Sequence, residues 1–495
     1  MTITGVQPHS LTQLARTARA LAVTDDVVVR DSFSSGPQLE STPKPSASKQ
    51  AAATQQTGTF VHPDSTGKIK HLVFQLDSQA TGEIRKEVEA AWTKVFKAMD
   101  PDVKFTITFE RDRDRKALQD LLAREEIPNP ERFNLLLTDD LNITMWARDQ
   151  MVGLGNFAGG DTLLGQTTMR PHGDDELLPP RIAASIPGLG FDPDKRLQTD
   201  GGDEVSNPKE TFLGYVSLHL TAKRLYEESR KDQAQAAIFS PFSKELKLDY
   251  PDKRVASPDF KFETNLFKSS PEGGDIPQQE YWLAEAHKLF EEKYGKKVTI
   301  IGADDPNTPI VEQPPTFHVD MGITPMDSHR VMVGDPSLAV NALRSLSPKE
   351  YAEHNARLNS HFGYPPGRDS LGEMIRENTV VEKDLQHNFD VTARQIAGEG
   401  YEVGRLPYLQ GPRGLSWVTY NNCLMEHYTK EDGSEVKRVL LPTFDLPVLD
   451  QMATKTYEDL GYEVIPLTLP VLTSWRGAIR CISNVLEREV DSNQK

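Results

Sequence analysis

Leu449-Asp450-Gln451-Met452-Ala453-Thr454-Lys455-Thr456-Tyr457-Glu458-Asp459-Leu460-Gly461-Tyr462-Glu463-Val464 reads as a helix that stops on a glycine and turns at once into a strand. Leu449, Ala453, Tyr457 and Leu460 recur at helical spacing, and Tyr462-Glu463-Val464 opens a β-prone run. Gly461 stands where a helix C-cap needs φ > 0, which a residue without a Cβ adopts freely. The unit recurs. Val381, Leu385, Phe389 and Ile396 lead to Gly398-Glu399-Gly400 and then Tyr401-Glu402-Val403, and Tyr281 to Tyr294 leads to Gly295 and then Val298-Thr299-Ile300-Ile301. One αβ unit repeated at unequal spacing predicts a single pseudo-symmetric α/β domain rather than a regular solenoid.

Upstream the same rhythm begins near Lys68. Lys70 to Leu76 reads as a strand; Ile84, Val88, Ala91 and Val95 mark an amphipathic helix; Phe105, Ile107 and Phe109 alternate as a strand should. Residues 239–275 break it with Pro241, Pro251, Pro258, Pro271 and Gly273-Gly274, and are expected to be an insertion loop. Residues 1–65 are rich in Ser, Thr, Gln, Ala and Pro, and are expected to be a disordered tail, with one short helix at Leu11 to Val29. The ordered α/β domain is then expected over 66–495.

The bulk numbers exclude several classes. The 495 residues carry 73 acidic and 56 basic side chains, a net charge of −17, which disfavours a nucleic-acid surface and suits a cationic substrate. Two cysteines make no disulfide framework. No apolar run approaches the roughly 18 residues of a membrane span, and Arg19, Thr24, Asp25 and Asp26 interrupt any signal-peptide core. The expected location is the cytoplasm, or export without a classical signal; the polar leader fits an export signal, a linker or a recognition tail.

Four short stretches carry the chemistry. Met145-Trp146-Ala147-Arg148-Asp149-Gln150 follows the apolar strand Phe133 to Leu137 and precedes an expected turn at Gly153-Leu154-Gly155, which would aim Asp149 into a cleft walled by Trp146. Thr316-Phe317-His318-Val319-Asp320 would, as a strand, set His318 and Asp320 on one face, an acid/base beside a cation-binding carboxylate. A metal site is the rival reading there, but no cysteine or second histidine stands at ligand spacing. Asp200-Gly201-Gly202-Asp203-Glu204-Val205 makes a tight turn that brings backbone close to a neighbour. Cys481 lies in Trp475-Arg476-Gly477-Ala478-Ile479-Arg480-Cys481-Ile482-Ser483-Asn484, where two arginines would favour the thiolate. Asn421 and Asn422, in a strand-like run from Ser416 to His427, are candidates to face the same site; Cys423 reads as core.

In that order, Trp-x-Arg-Asp, Gly-Gly-Asp, His-Val-Asp and Gly-x-x-x-Cys resemble the guanidino-group-modifying enzymes over residues 68 to 490. Gly201-Gly202-Asp203-Glu204-Val205-Ser206-Asn207-Pro208 and Cys481-Ile482-Ser483-Asn484-Val485 look most similar to the protein-arginine deiminase catalytic domain, with arginine and agmatine deiminases as further relatives. The resemblance implies the pentein fold, a five-bladed α/β propeller, with Asp149, His318, Asp320 and Cys481 as catalytic residues. It places Trp146, Asp203, Arg476 and Arg480 around the substrate, with Asp200 or Asp203 orienting His318. No cofactor is implied: the acidic calcium positions of the animal enzymes are not matched by Gln150, Met151 and Val152. A further departure is Arg480, where relatives usually place histidine.

The implied reaction is hydrolysis of a guanidinium, most closely peptidyl-arginine to peptidyl-citrulline and ammonia. Free arginine or agmatine deimination is an alternative, Arg476 being placed to grip a free carboxylate. An amidinotransferase shares the cysteine half-reaction, and a binding-only scaffold would not keep these four residues together. The expected partner is an arginine-containing protein or a small guanidino compound.

Overall fold

The computed structural model describes residues 58–166, 168–169, 172–231, 276–302, 315–411 and 417–490. The expected helix at Leu11 to Val29 and the insertion at 239–275 lie outside the described residues, as does most of the expected tail.

The helix–glycine–strand units form as the spacing predicts. Helix Pro447–Asp459 leads to strand Glu463–Thr468, Leu385–Gly398 to Glu402–Gln410, and Ile276–Tyr294 to Lys297–Ile301. Gly461, Gly400 and Gly295 take φ of 83°, 90° and 63°. Leu449, Ala453 and Tyr457 are buried, as the period requires. Val381 departs from expectation: it ends a π-turn at Glu377–Val381 and is exposed, and the helix starts at Leu385.

The described strands make five small mixed sheets of three or four strands. Each sheet holds a parallel pair joined through a helical crossover, with at least one antiparallel strand beside it, and Phe133–Leu137 adds a second parallel pairing on Lys104–Phe109. Lys68–Leu76 and Lys104–Phe109 are parallel around helix Gly82–Ala98, and Glu435–Thr443 and Glu463–Thr468 around helix Pro447–Asp459. Arg330–Asp335 with Glu402–Gln410, Glu210–Gly214 with Lys297–Ile301, and Asp161–Gly165 with Gly190–Asp192 complete the set. The last strand, Ser483–Glu489, lies antiparallel on Lys68–Leu76 near the start of the described chain. Among the described residues no helix is long and apolar enough to cross a membrane.

Two boundaries differ from the sequence reading. The expected tail runs to residue 65, but Thr59–Val61 is a strand paired with Met151–Asn156. Phe60 and Val61 are buried and drive that docking, a two-residue apolar signal masked by its polar flanks. Gly153-Leu154-Gly155 is not a turn but lies within strand Met151–Asn156. The glycines serve packing: a Cβ on Gly153 would overlap the carbonyl oxygens of Val485 and Leu486, and one on Gly155 the Phe60 ring.

Candidate active site

The catalytic candidates lie in the segments that enter the antiparallel strands. Each antiparallel strand is entered from a short irregular segment, and the residue two before that strand is Asp149 for Met151–Asn156, Gly202 for Glu204–Ser206, Met321 for Ile323–Pro325, Asn422 for Leu424–Thr429 and Cys481 for Ser483–Glu489. Asp149 therefore sits in the turn before Met151–Asn156, well separated from Phe133–Leu137, whose end does not aim it. His318 and Asp320 do not lie on a strand. His318 caps a 3-10 turn over Val319–Met321, and the turn buries both side chains.

His318 is held between carboxylates. Its Nε2 donates to Asp200 Oδ2 at 3.0 Å, and its Nδ1 is 4.0 Å from Asp149 Oδ1. Burial alone would discharge the ring, but the Asp200 bond and the charges of Asp149, Asp200 and Asp320 outweigh it and raise the pKa to about 9. At neutral pH His318 is an imidazolium. Gly202 is where this ring needs space: a Cβ there would overlap Nδ1.

Cys481 is buried beside Trp146, Phe317 and Trp417 in one apolar cluster. A Cβ on Gly477 would overlap the Trp146 ring, so the glycine lets the indole lie against the backbone of the cysteine turn. Asn422 Nδ2 donates to Cys481 Sγ at 3.2 Å. Burial, then the charges of Asp320 and Asp149, hold the thiol well above its ordinary range. The expectation that Arg476 and Arg480 favour the thiolate is corrected by where their charges go.

Arg480 is buried and fully engaged. Nη1 donates to Asp320 Oδ2 at 2.7 Å, Nη2 to Asp64 Oδ1 at 2.9 Å and to the Glu204 carbonyl at 2.9 Å, and Nε to Asp64 Oδ1 at 3.3 Å. It is a structural bridge between two carboxylates, not the substrate contact expected of it. Asp203 likewise turns to the protein: Ser217 Oγ donates to Oδ2 at 2.5 Å, and burial pushes its carboxyl up to about 7. Asp200, not Asp203, orients His318. Arg476 takes a left-handed φ of 70° and stacks its guanidinium 5.2 Å from the Trp417 ring centre.

Two neighbours escaped the sequence reading. His172 Nε2 lies 3.3 Å from Asp149 Oδ2, and Asp64 holds Arg480. Neither stands in a motif; His172 is a lone histidine in a polar loop and Asp64 falls in the stretch taken for tail. Asn422 was named only as a candidate, because Trp417–Thr419 and Leu424–Thr429 are separate strands and the break at 420–423 is what turns it inward. Cys423 is core, its Sγ 3.5 Å from the Tyr457 hydroxyl.

No family model matches the chain. No curated protein sequence matches it. Among solved structures, C. jejuni agmatine deiminase superposes with a TM-score of 0.51 at 12% identity, covering 89% of this chain and all of that one (100%). The chain has the pentein fold. An agmatine deiminase of Enterococcus faecalis gives a TM-score of 0.46 at 13% identity, over 87% of this chain and 96% of that one. DDAH from Pseudomonas aeruginosa gives 0.34 at 9%, over 84% and 99%.

Asp149, Asp200 and Asp320 act on His318, and the charges of Asp149 and Asp320 act on Cys481 as well. Among the described residues, Asp320 Oδ1 and His318 Nδ1 are buried without a hydrogen-bond partner. Such atoms are costly to bury unless a ligand satisfies them.

Proposed function

We propose that this chain hydrolyses a guanidinium group to a ureido group and ammonia, and that its five sheets are the five blades of a pentein propeller with the site at their shared entrance. The observation that carries the reading is the meeting of a buried cysteine, a histidine held as imidazolium and two carboxylates in the segments that enter the antiparallel strands of separate sheets, His318 and Asp320 sharing one segment.

A guanidinium is planar, always charged near neutral pH, and donates paired N–H groups to carboxylates. Asp149 and the open oxygen of Asp320 grip its edges and present its carbon to Cys481. Its positive charge offsets the two carboxylates that hold the thiol up, so the thiol releases its proton to solvent once substrate is bound. The thiolate attacks the central carbon. His318 gives its proton to the departing nitrogen, the C–N bond breaks and ammonia leaves, with a thiouronium on Cys481. Neutral His318 then takes a proton from water and the resulting hydroxide adds to the carbon; the C–S bond breaks to return the thiolate, and the added hydroxyl loses its proton to solvent as the neutral ureido product forms.

The substrate favoured by the motifs around Gly202 and Cys481 is an arginine side chain of a peptide or protein. A second reading is free arginine, with Arg476, whose guanidinium lies over Trp417, as the group to grip its carboxylate. A ureido-product assay with an arginine peptide, free arginine and agmatine, without any amine acceptor, tests both. Ammonia and ureido product from the peptide support the first; turnover of arginine alone supports the second; product only when an amine is added overturns hydrolysis in favour of amidino transfer.

A further inference from the structure

Four of the five strand-entry segments carry a residue that the proposed reaction already uses. The fifth, Tyr420-Asn421-Asn422-Cys423, carries none, yet its Asn422 stands two residues before strand Leu424–Thr429, as Asp149 and Cys481 stand before theirs. Asn422 is fully buried and both ends of its amide are committed to the cysteine turn. Oδ1 accepts the backbone N–H of Arg480 at 3.0 Å and that of Cys481 at 3.3 Å, while Nδ2 donates to Cys481 Sγ at 3.2 Å. The two Oδ1 bonds fix which way the amide faces: reversed, it would set NH₂ against two N–H groups and leave no donor for the sulfur.

We infer that Asn422 is a catalytic residue, fixing the Cys481 turn through Oδ1 and stabilising the thiolate through Nδ2; this rests on Cys481 being the nucleophile of the proposed hydrolysis. A hydrogen bond to the charged form favours that form. It matters here because the arginine next to the cysteine is engaged elsewhere: Arg480 donates to Asp64 and Asp320. Burial and the charges of Asp320 and Asp149 oppose ionisation, and the Asn422 bond acts in the other direction. As the sulfur leaves in the second half of the reaction, the same N–H receives the returning charge.

The test is the pH dependence of Cys481 alkylation by iodoacetamide, read by peptide mass spectrometry on the full chain, with Cys423 as internal control. Asn422→Asp keeps an acceptor for the two backbone N–H groups and removes the donor to sulfur. Its alkylation midpoint is expected to rise by about one pH unit or more, with kcat lowered about 10²-fold and KM little changed. Asn422→Ala removes the donor without adding charge, and is expected to move the midpoint the same way. Midpoints equal to that of the parent protein in both variants overturn the inference, even if stability falls. Alkylation reports the thiol whatever the substrate. A shifted midpoint with no guanidino compound turned over therefore upholds the role of Asn422 at the sulfur and sinks the deiminase reading; turnover with an unshifted midpoint does the reverse.

Discussion

Arg480 Nη1 lies 2.7 Å from Asp320 Oδ2, so a carboxylate proposed to grip a guanidinium already holds one from its own chain. The bridge leaves one Asp320 oxygen unpartnered and fixes its orientation from behind, because Asp64 and two carbonyls hold the arginine in turn. This accounts for arginine standing immediately before the cysteine: it sets the position of Asp320 rather than touching substrate.

Arg480→Met removes the cation and leaves Asp320 buried and unpaired. Loss of one partner of a buried pair costs about 3–5 kcal/mol. Urea denaturation followed by circular dichroism is expected to show a drop of that size, and Asp64→Asn a smaller one in the same direction, Asp64 being partly exposed. An Arg480→Met protein as stable as its parent would show that the bridge holds nothing.

Cys481→Ser replaces the nucleophile with a hydroxyl that ionises far less readily. Turnover is expected to fall by more than about 10³-fold while an arginine peptide still binds, since Asp149 and Asp320 are untouched. Equilibrium dialysis with labelled peptide and the ureido assay on the same preparation check both halves. Full activity in the variant would sink the mechanism.

The repeat was legible because it rests on periodicity: Leu449, Ala453 and Tyr457 with Gly461 announce a buried helix face and its cap, and both form. The site was legible where a short motif names the residue, as at His318 and Cys481. It was not legible where chemistry depends on long-range partners. Asp64 meets Arg480 across 416 residues, and Asn422 meets Cys481 across 59. Local pattern also misjudged backbone form at His318, because a buried 3-10 turn and a strand share the same few apolar neighbours.

Gly202→Ala tests the packing of the imidazole. The added methyl overlaps His318 Nδ1 and pushes the ring off its bond to Asp200. A displacement approaching 1 Å in a reacting group costs about 10² in rate. We expect kcat reduced about 100-fold with the thermal unfolding midpoint moved by only a few degrees. Unchanged kcat would mean that His318 is not where the reaction needs it.

The pH profile of kcat/KM follows from the charge on His318. Its pKa, raised to about 9 from an ordinary 6.5, keeps the acid form that protonates the leaving nitrogen through the neutral range. The imidazolium's contribution to stability is full below about 6.5 and is lost as pH rises through about 9. kcat/KM, which reports the free enzyme, is expected to fall along an alkaline limb near that upper value. The bond to Asp200 is the largest of the influences raising the pKa, so Asp200→Asn should draw the limb toward neutral pH and lower kcat/KM at pH 8. A limb that stays in place in Asp200→Asn, measured by initial rates from pH 6 to 10, would assign the proton transfer to another group, with His172 on Asp149 the next to examine.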